Sequence, residues 1–249
     1  MTVPPLRLPH QPLVSNGYAL SSAPNRLGAL TSSPATLSIQ AVRQLLQSQG
    51  YVWFKGFFER AEILAFRRRF FDAFKQAGLI RSGSDPQQGL FSGHDDTRLT
   101  QKILMEFVRT AAYEAFCLHP KLWQFYDTYF ESPSYLHKRK IVRYMPPGNT
   151  STTPAHYDLV YLRGGTDKVV SSWIPLGDTT IEMGGLVYLE GSDALGRKMV
   201  IHSPYMIHAA TNNVDELGRI RLSTDIRYQS VREEIDARWN NHWSLDDML

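Results

Sequence analysis

From residue 138 onward the chain changes texture, and that change limits its fold more than any other feature. Short β-rich runs at 138–144, 156–162, 169–174, 186–189, 199–201 and 219–228 are separated by Pro146-Pro147-Gly148, Gly164-Gly165, Gly184-Gly185 and Gly191. Many short strands with turn residues between them predict a sandwich or barrel of jelly-roll type. The preceding residues read as helices. Leu37, Ala41, Val42, Leu45 and Leu46 recur at helical spacing, and Gly50 is a natural stop. Residues 51–54 form a short strand. Ile63, Phe66, Phe70, Phe74 and Ala77 line a second helix that Gly78 ends, with Arg67-Arg68-Arg69 on its solvated face. A loop rich in Gly, Ser and Asp covers 81–98, and helices over 100–118 and 120–130 break at Pro120. Lys138-Arg139-Lys140 reads as an exposed strand end.

Residues 1–36 hold six of the 14 prolines and no acid, so they form an extended Pro/Ser-rich arm. The expected organisation is that arm followed by one domain over 37–249. It consists of a helical buttress (37–130), a jelly-roll core (138–228) and a C-terminal segment (229–249). The fold class is α+β with a mainly β core. An apolar content of 43% over 249 residues is enough to bury such a core.

Charge and cysteine content narrow the function. A net charge of +3 is too small an excess to imply nucleic acid or an anionic membrane surface. A single cysteine, Cys117, excludes an internal disulfide framework and a cysteine-based zinc site. No apolar run approaches the ~18 residues of a membrane span, and no charged-then-apolar leader opens the sequence. A soluble, cytoplasmic protein acting on a small molecule is expected. Oligomeric state is not legible.

A metal site must then use histidine and carboxylate. Two His-x-Asp triplets occur, His94-Asp95-Asp96 and His156-Tyr157-Asp158. Residues two apart in a strand point the same way, so such a pair can grip one cation from one side. The first triplet lies in a turn-like loop and reads as surface. The second opens an apparent strand that puts His156, Asp158, Val160 and Leu162 on one face. An imidazole and a carboxylate entering a sandwich need compensation, and a metal provides it. A third ligand is sought downstream, where His202 and His208 are the candidates. Two histidines and one carboxylate leave three open positions, the arrangement of non-haem Fe(II) oxygenases. Farther on, the 219–228 strand carries Arg219, Arg221, Ser223, Asp225 and Arg227 on one face. An Arg with a Ser two residues on is a carboxylate clamp, because a guanidinium fork matches a carboxylate.

These features together resemble the phytanoyl-CoA dioxygenase family of Fe(II)- and 2-oxoglutarate-dependent oxygenases, over roughly residues 37–228. The carrying motifs are Gln49-Gly50-Tyr51-Val52-Trp53-Phe54-Lys55-Gly56-Phe57-Phe58, Pro146-Pro147-Gly148 ahead of the His-x-Asp, Ser172-Trp173-Ile174-Pro175-Leu176-Gly177-Asp178, and Gly184-Gly185-Leu186-Val187-Tyr188-Leu189-Glu190-Gly191-Ser192. The last departs from the family pattern, with Asp193 where a histidine usually follows. The resemblance implies a double-stranded β-helix, metal ligands His156, Asp158 and His208, and cosubstrates 2-oxoglutarate and O2. It implies Arg221 as the 2-oxoglutarate clamp, with Arg219 as rival, Ser223 beside it and Trp173 near the cosubstrate. A carboxylate at 158 sets the chain apart from related halogenases, which have a small residue there. The implied reaction is oxidation of an unactivated C–H of a natural-product or lipid-like substrate, with succinate and CO2 released. Hydroxylation is the first expectation; desaturation, epimerisation and ring formation use the same residues, and a metal-binding sandwich without turnover is the non-enzymatic alternative. The lid is expected from 81–98 and 239–243.

Overall fold

A computed structural model describes residues 11–23, 26–162, 164–190, 192, 202 and 204–244. In chain order the elements are β1 (Val14–Ser15), β2 (Tyr18–Ala19), β3 (Ser32–Pro34), α1 (Ile39–Gln49), β4 (Trp53–Lys55), α2 (Arg60–Gln76), α3 (Thr97–Phe107), α4 (Ala111–Cys117), α5 (Pro120–Phe130), β5 (Ser134–Leu136), β6 (Ile141–Met145), α6 (Leu159–Leu162), β7 (Val169–Pro175), β8 (Leu186–Tyr188), β9 (His208–Ala210) and β10 (Arg221–Ser230). The predicted strand at 199–201 and Asp193 lie outside the described residues.

The central strand is β10. It pairs antiparallel with β5 and β6 along one edge and with β7 along the other. Strand alternation sends its residues to two different environments. Leu222, Thr224, Ile226 and Tyr228 meet the helices: Tyr228 stacks on Tyr126 with ring centres 4.1 Å apart, and Thr224 Oγ1 lies 2.6 Å from the Tyr113 hydroxyl. Arg221, Asp225 and Arg227 line the opposite face's cavity. A smaller layer, β8 with β9, is extended by a bridge between His156 and His208. Gly184, just before β8, has φ 75°, and a Cβ there would lie 2.3 Å from the Thr211 carbonyl oxygen, so glycine alone permits this approach. Among the described residues the strands make one four-stranded and three two-stranded sheets, not a closed barrel.

The buttress is an aromatic core. Phe66 stacks on Phe116 at 4.4 Å between ring centres, and Phe70 on Phe74 at 4.7 Å. Ser38 caps α1 by accepting from the Ala41 amide, and Gly50 ends it at φ 77°. The predicted 100–118 helix starts at Thr97 and divides into α3 and α4, because Thr110 turns the chain and caps α4. The described part of the arm packs on the body. Ser15 Oγ donates to the Ala210 carbonyl at 2.8 Å, and β3 runs parallel to β4. Among the described residues no helix is long and apolar enough to cross a membrane.

Three local expectations are corrected. Arg67 is not solvated: it is 4% exposed and donates to the carbonyls of Gln87, Gln88, Leu176 and Ile220. Helical periodicity marks its face but cannot see carbonyls that three distant segments bring to it. Replacing Arg67 with methionine is expected to cost about 3 kcal/mol or more, since it strips buried acceptors of a charged donor; denaturant melts of the variant measure it. Likewise Arg139 and Lys140 are buried, Lys140 against Glu114 and Arg139 over the Trp239 ring at 5.1 Å. Finally, the strand expected over 156–162 ends almost as it begins. After the His156 bridge the chain turns into α6, with Tyr161 and Leu162 amides donating to the Asp158 carbonyl at 2.9 and 3.1 Å. Val160 is consequently 39% exposed, while Leu162, a helical turn after Asp158, is buried.

Candidate metal and cosubstrate site

His156, Asp158 and His208 converge. Their ligand atoms all lie within 4.8 Å of one another. His156 Nε2 is 3.7 Å and His208 Nε2 3.9 Å from Asp158 Oδ1. Each imidazole is oriented by its own backbone: His156 Nδ1 bonds the Pro154 carbonyl at 2.8 Å and His208 Nδ1 the Met206 carbonyl at 2.9 Å. A carbonyl only accepts, so both Nδ1 atoms carry the proton and both Nε2 lone pairs face the third ligand. Burial lowers the His208 pKa, which keeps that ring neutral and able to ligate.

Asp158 is 1% exposed, and its two oxygens differ. Oδ2 accepts from Ser171 Oγ and from Arg227 Nη2 at 3.1 Å. Oδ1 has no hydrogen-bond partner among the described residues. A buried carboxylate oxygen left open between two Nε2 lone pairs is the donor set of a divalent cation, and these residues fit iron. Burial would push the Asp158 carboxyl up, but the Arg227 guanidinium beside it holds it well below the usual carboxylate range. With the folded value depressed, the stabilisation is present above the unfolded pKa of about 3.9 and disappears as pH falls through the folded value. Arg227→Leu removes the main cation opposite this group. It is expected to move the acid limb of iron binding upward by about one pH unit or more, measured by metal titration across pH.

The triad opens into a cavity of about 210 Å³, walled also by Trp173, His202, Arg221, Asp225 and Arg227. Arg221 is 1% exposed, and its Nε and Nη1 have no partner among the described residues. Burial pushes its pKa down to about 10, so it stays charged at neutral pH. Its guanidinium carbon sits 6.0 Å from the Trp173 ring centre, and Trp173 Nε1 donates to Ser223 Oγ at 3.0 Å. Arg219 precedes β10 and is held elsewhere: Nη2 lies 2.5 Å from Asp215 Oδ1, and Nε bonds both Asp215 oxygens.

The other candidates are placed as follows. His94 is exposed, and Asp96 of that triplet caps α3 by accepting from the Leu99 amide at 2.9 Å. His202 is buried, its ring centre 4.1 Å from that of His208, but it stands outside the ligand cluster. Trp243 lines the cavity, whereas no residue of 81–98 does. Arg227 was legible only as one more polar residue of its strand. It pairs with Asp158 across 69 residues and lies 4.7 Å from the Trp239 ring centre. The alternation of the strand pointed toward it, but nothing in the sequence named its partner.

The sequence profile of the phytanoyl-CoA dioxygenase (PhyH) family matches residues 46–200. The chain belongs to that family. A curated relative, 1-deoxypentalenic acid 11-beta-hydroxylase from Streptomyces arenae, is 23% identical over 184 residues, or 72% of this chain. The alignment spans 60% of that relative's length. The fold is shared with solved non-haem proteins. The α-ketoglutarate-dependent carbocyclase SnoK from nogalamycin biosynthesis superposes with TM-score 0.57 at 18% identity, covering 88% of this chain and 92% of SnoK. The epimerase SnoN, in complex with Fe3+, α-ketoglutarate and nogalamycin RO, gives 0.55 at 15% identity, covering 79% and 85%. EvdO2 from Micromonospora carbonacea var. aurantiaca, complexed with 2-oxoglutarate, gives 0.52 at 15% identity, covering 86% and 100%.

Proposed function

We propose that this protein is an Fe(II)- and 2-oxoglutarate-dependent oxygenase that hydroxylates an unactivated C–H of a small natural-product or lipid-like substrate. The observation that carries the reading is Asp158 Oδ1, open among the described residues between the two Nε2 atoms, facing a cavity that also holds Arg221, whose Nε and Nη1 have no partner among the described residues. In this reading His156, Asp158 and His208 ligate the metal. Arg221 and Ser223 take the distal carboxylate of 2-oxoglutarate, with Trp173 orienting Ser223. Iron, 2-oxoglutarate and O2 supply the oxidising power when bound, with succinate and CO2 as coproducts. The chain's own residues do the rest. Arg227 and Ser171 fix the Asp158 carboxylate in one rotamer, and the two carbonyl-bound imidazoles present fixed lone pairs. The enclosing walls limit water.

The same residues serve a second reading, epimerisation or ring closure, which the activities named for SnoN and SnoK favour. The residues 37–249 act as one oxygenase domain of double-stranded β-helix type, with 1–36 as its arm, and a cytoplasmic location suits the free, buried Cys117. Incubation with Fe(II), O2 and 2-oxoglutarate is expected to yield succinate, increasing when a substrate is supplied. Product mass then separates hydroxylation (one added oxygen) from epimerisation (no change) and from ring closure or desaturation (loss of two hydrogens). Absence of succinate across a broad metabolite panel rejects the reading.

A further inference from the structure

The charged residues of the cavity are not used up by the metal and the cosubstrate. Among the described residues its walls carry three arginines, at 143, 221 and 227, and two aspartates, at 158 and 225. That leaves one positive charge. Iron(II) and the 2-oxoglutarate dianion cancel each other, so the loaded site keeps this excess. Among the described residues that excess has no counter-ion in the cavity, and an anionic group on the remaining ligand would supply one.

The arginine that can receive it is Arg143. Arg227 is committed to Asp158. Arg221 is fully enclosed beside Trp173 and Ser223. Arg143, on β6 directly across from Ser223, is anchored through Nε alone, which donates to Asp225 Oδ2 at 2.8 Å. No other hydrogen bond or ion pair of Arg143 occurs among the described residues, and its side chain is 33% exposed. A guanidinium held by Nε offers its Nη1 and Nη2 as an open fork, the geometry that takes a carboxylate through two parallel bonds. Asp225 thus aims the fork without occupying it. The same cavity has Leu104, Met145 and Trp243 as apolar wall, with Asn149, Ser151 and Thr153 as further lining.

We propose that Arg143 receives an acidic group of the substrate, and that the substrate is accordingly an apolar monoanion such as a carboxylic acid. A neutral molecule leaves the fork and the charge unmatched. A coenzyme A thioester brings several phosphate charges to a cavity whose described walls have one to spare. This inference rests on the 2-oxoglutarate reading given above and deepens it.

The test measures binding to the anaerobic Fe(II)–2-oxoglutarate complex by calorimetry. The probes are 1-adamantanecarboxylate and its neutral isostere 1-adamantanecarboxamide. In the native protein the carboxylate is expected to bind at least tenfold tighter than the amide. Arg143→Gln is expected to erase that preference while changing 2-oxoglutarate affinity less than twofold. Arg143→Gln with Asp225→Asn, which leaves no orphaned acid, keeps the variant foldable and is expected to behave in the same way. Equal binding of the two probes to the native complex overturns the proposal. So does a preference that survives in the double variant. An Arg143→Gln loss of 2-oxoglutarate affinity as large as that of Arg221→Ala also overturns it, because Arg143 would then serve the cosubstrate. A native protein that binds no 2-oxoglutarate fails the underlying reading instead, and is recognised before either probe is added.

Discussion

His208→Ala is expected to lose iron binding by well over a hundredfold and to show no 2-oxoglutarate turnover. In the proposed site the His208 ring is one of three donors, and its Nδ1 bond to the Met206 carbonyl leaves the Nε2 lone pair free for a metal. Removing partners that merely orient a ligand typically costs about 10–100-fold in metal affinity, so deleting the ligand itself costs more. The fold is expected to survive, because His208 opens a short strand whose next two residues are alanines, and loss of one ring at a strand end leaves only a modest cavity. His156→Ala is expected to match it. His94→Ala, altering an exposed loop residue, is expected to bind iron as the native protein does. Metal titration with circular dichroism on the same samples separates lost ligation from unfolding. Iron retained by His208→Ala but lost by His94→Ala would move the metal site to the other triplet.

Arg221→Ala is expected to raise the Kd for 2-oxoglutarate by about 30-fold to several thousandfold, the equivalent of about 2–5 kcal/mol for a buried charge pair stripped of one member. The size follows from enclosure: Arg221 is buried, stays protonated, and has Nε and Nη1 without partners among the described residues. Arg219→Ala is expected to change this Kd less than about threefold, the effect of a partly exposed pair. Its guanidinium is spent on Asp215 and leans toward Thr180. Equilibrium binding of 2-oxoglutarate to the anaerobic iron form measures both. The reverse ranking would transfer the clamp to Arg219.

Much of the site was visible in the order of residues. His-x-Asp at 156 and 158, two later histidines and an Arg-x-Ser after them offer candidates for a donor set and a clamp, and the family resemblance, not residue type, chose His208 and Arg221 among them. The helices on Phe66, Phe70 and Phe74 were visible for a similar reason, since an apolar stripe repeats with the period of the element that buries it. Errors arose where local period was the wrong guide. Residues 156–162 alternate like a strand, yet they turn into a helix once the two ligands are placed. Arg67 sits in a basic run and still serves as the hub for four carbonyls.

What the sequence by itself determined is the chemistry on offer: which groups can bind a cation or a carboxylate, and that short strands following a helical half carry them. Which of them act together was decided by tertiary structure. Strand register sets Ser223 opposite Arg143 and Pro175, and the turn that closes from Asp215 to Gly218 leaves Arg219 outside β10 and beside Asp215. The Asp158–Arg227 pair closes across 69 residues. Periodicity reports only which way a side chain faces on its own element. Pairing between elements depends on register and on the cost of burying charge, and both are settled when the sheets assemble.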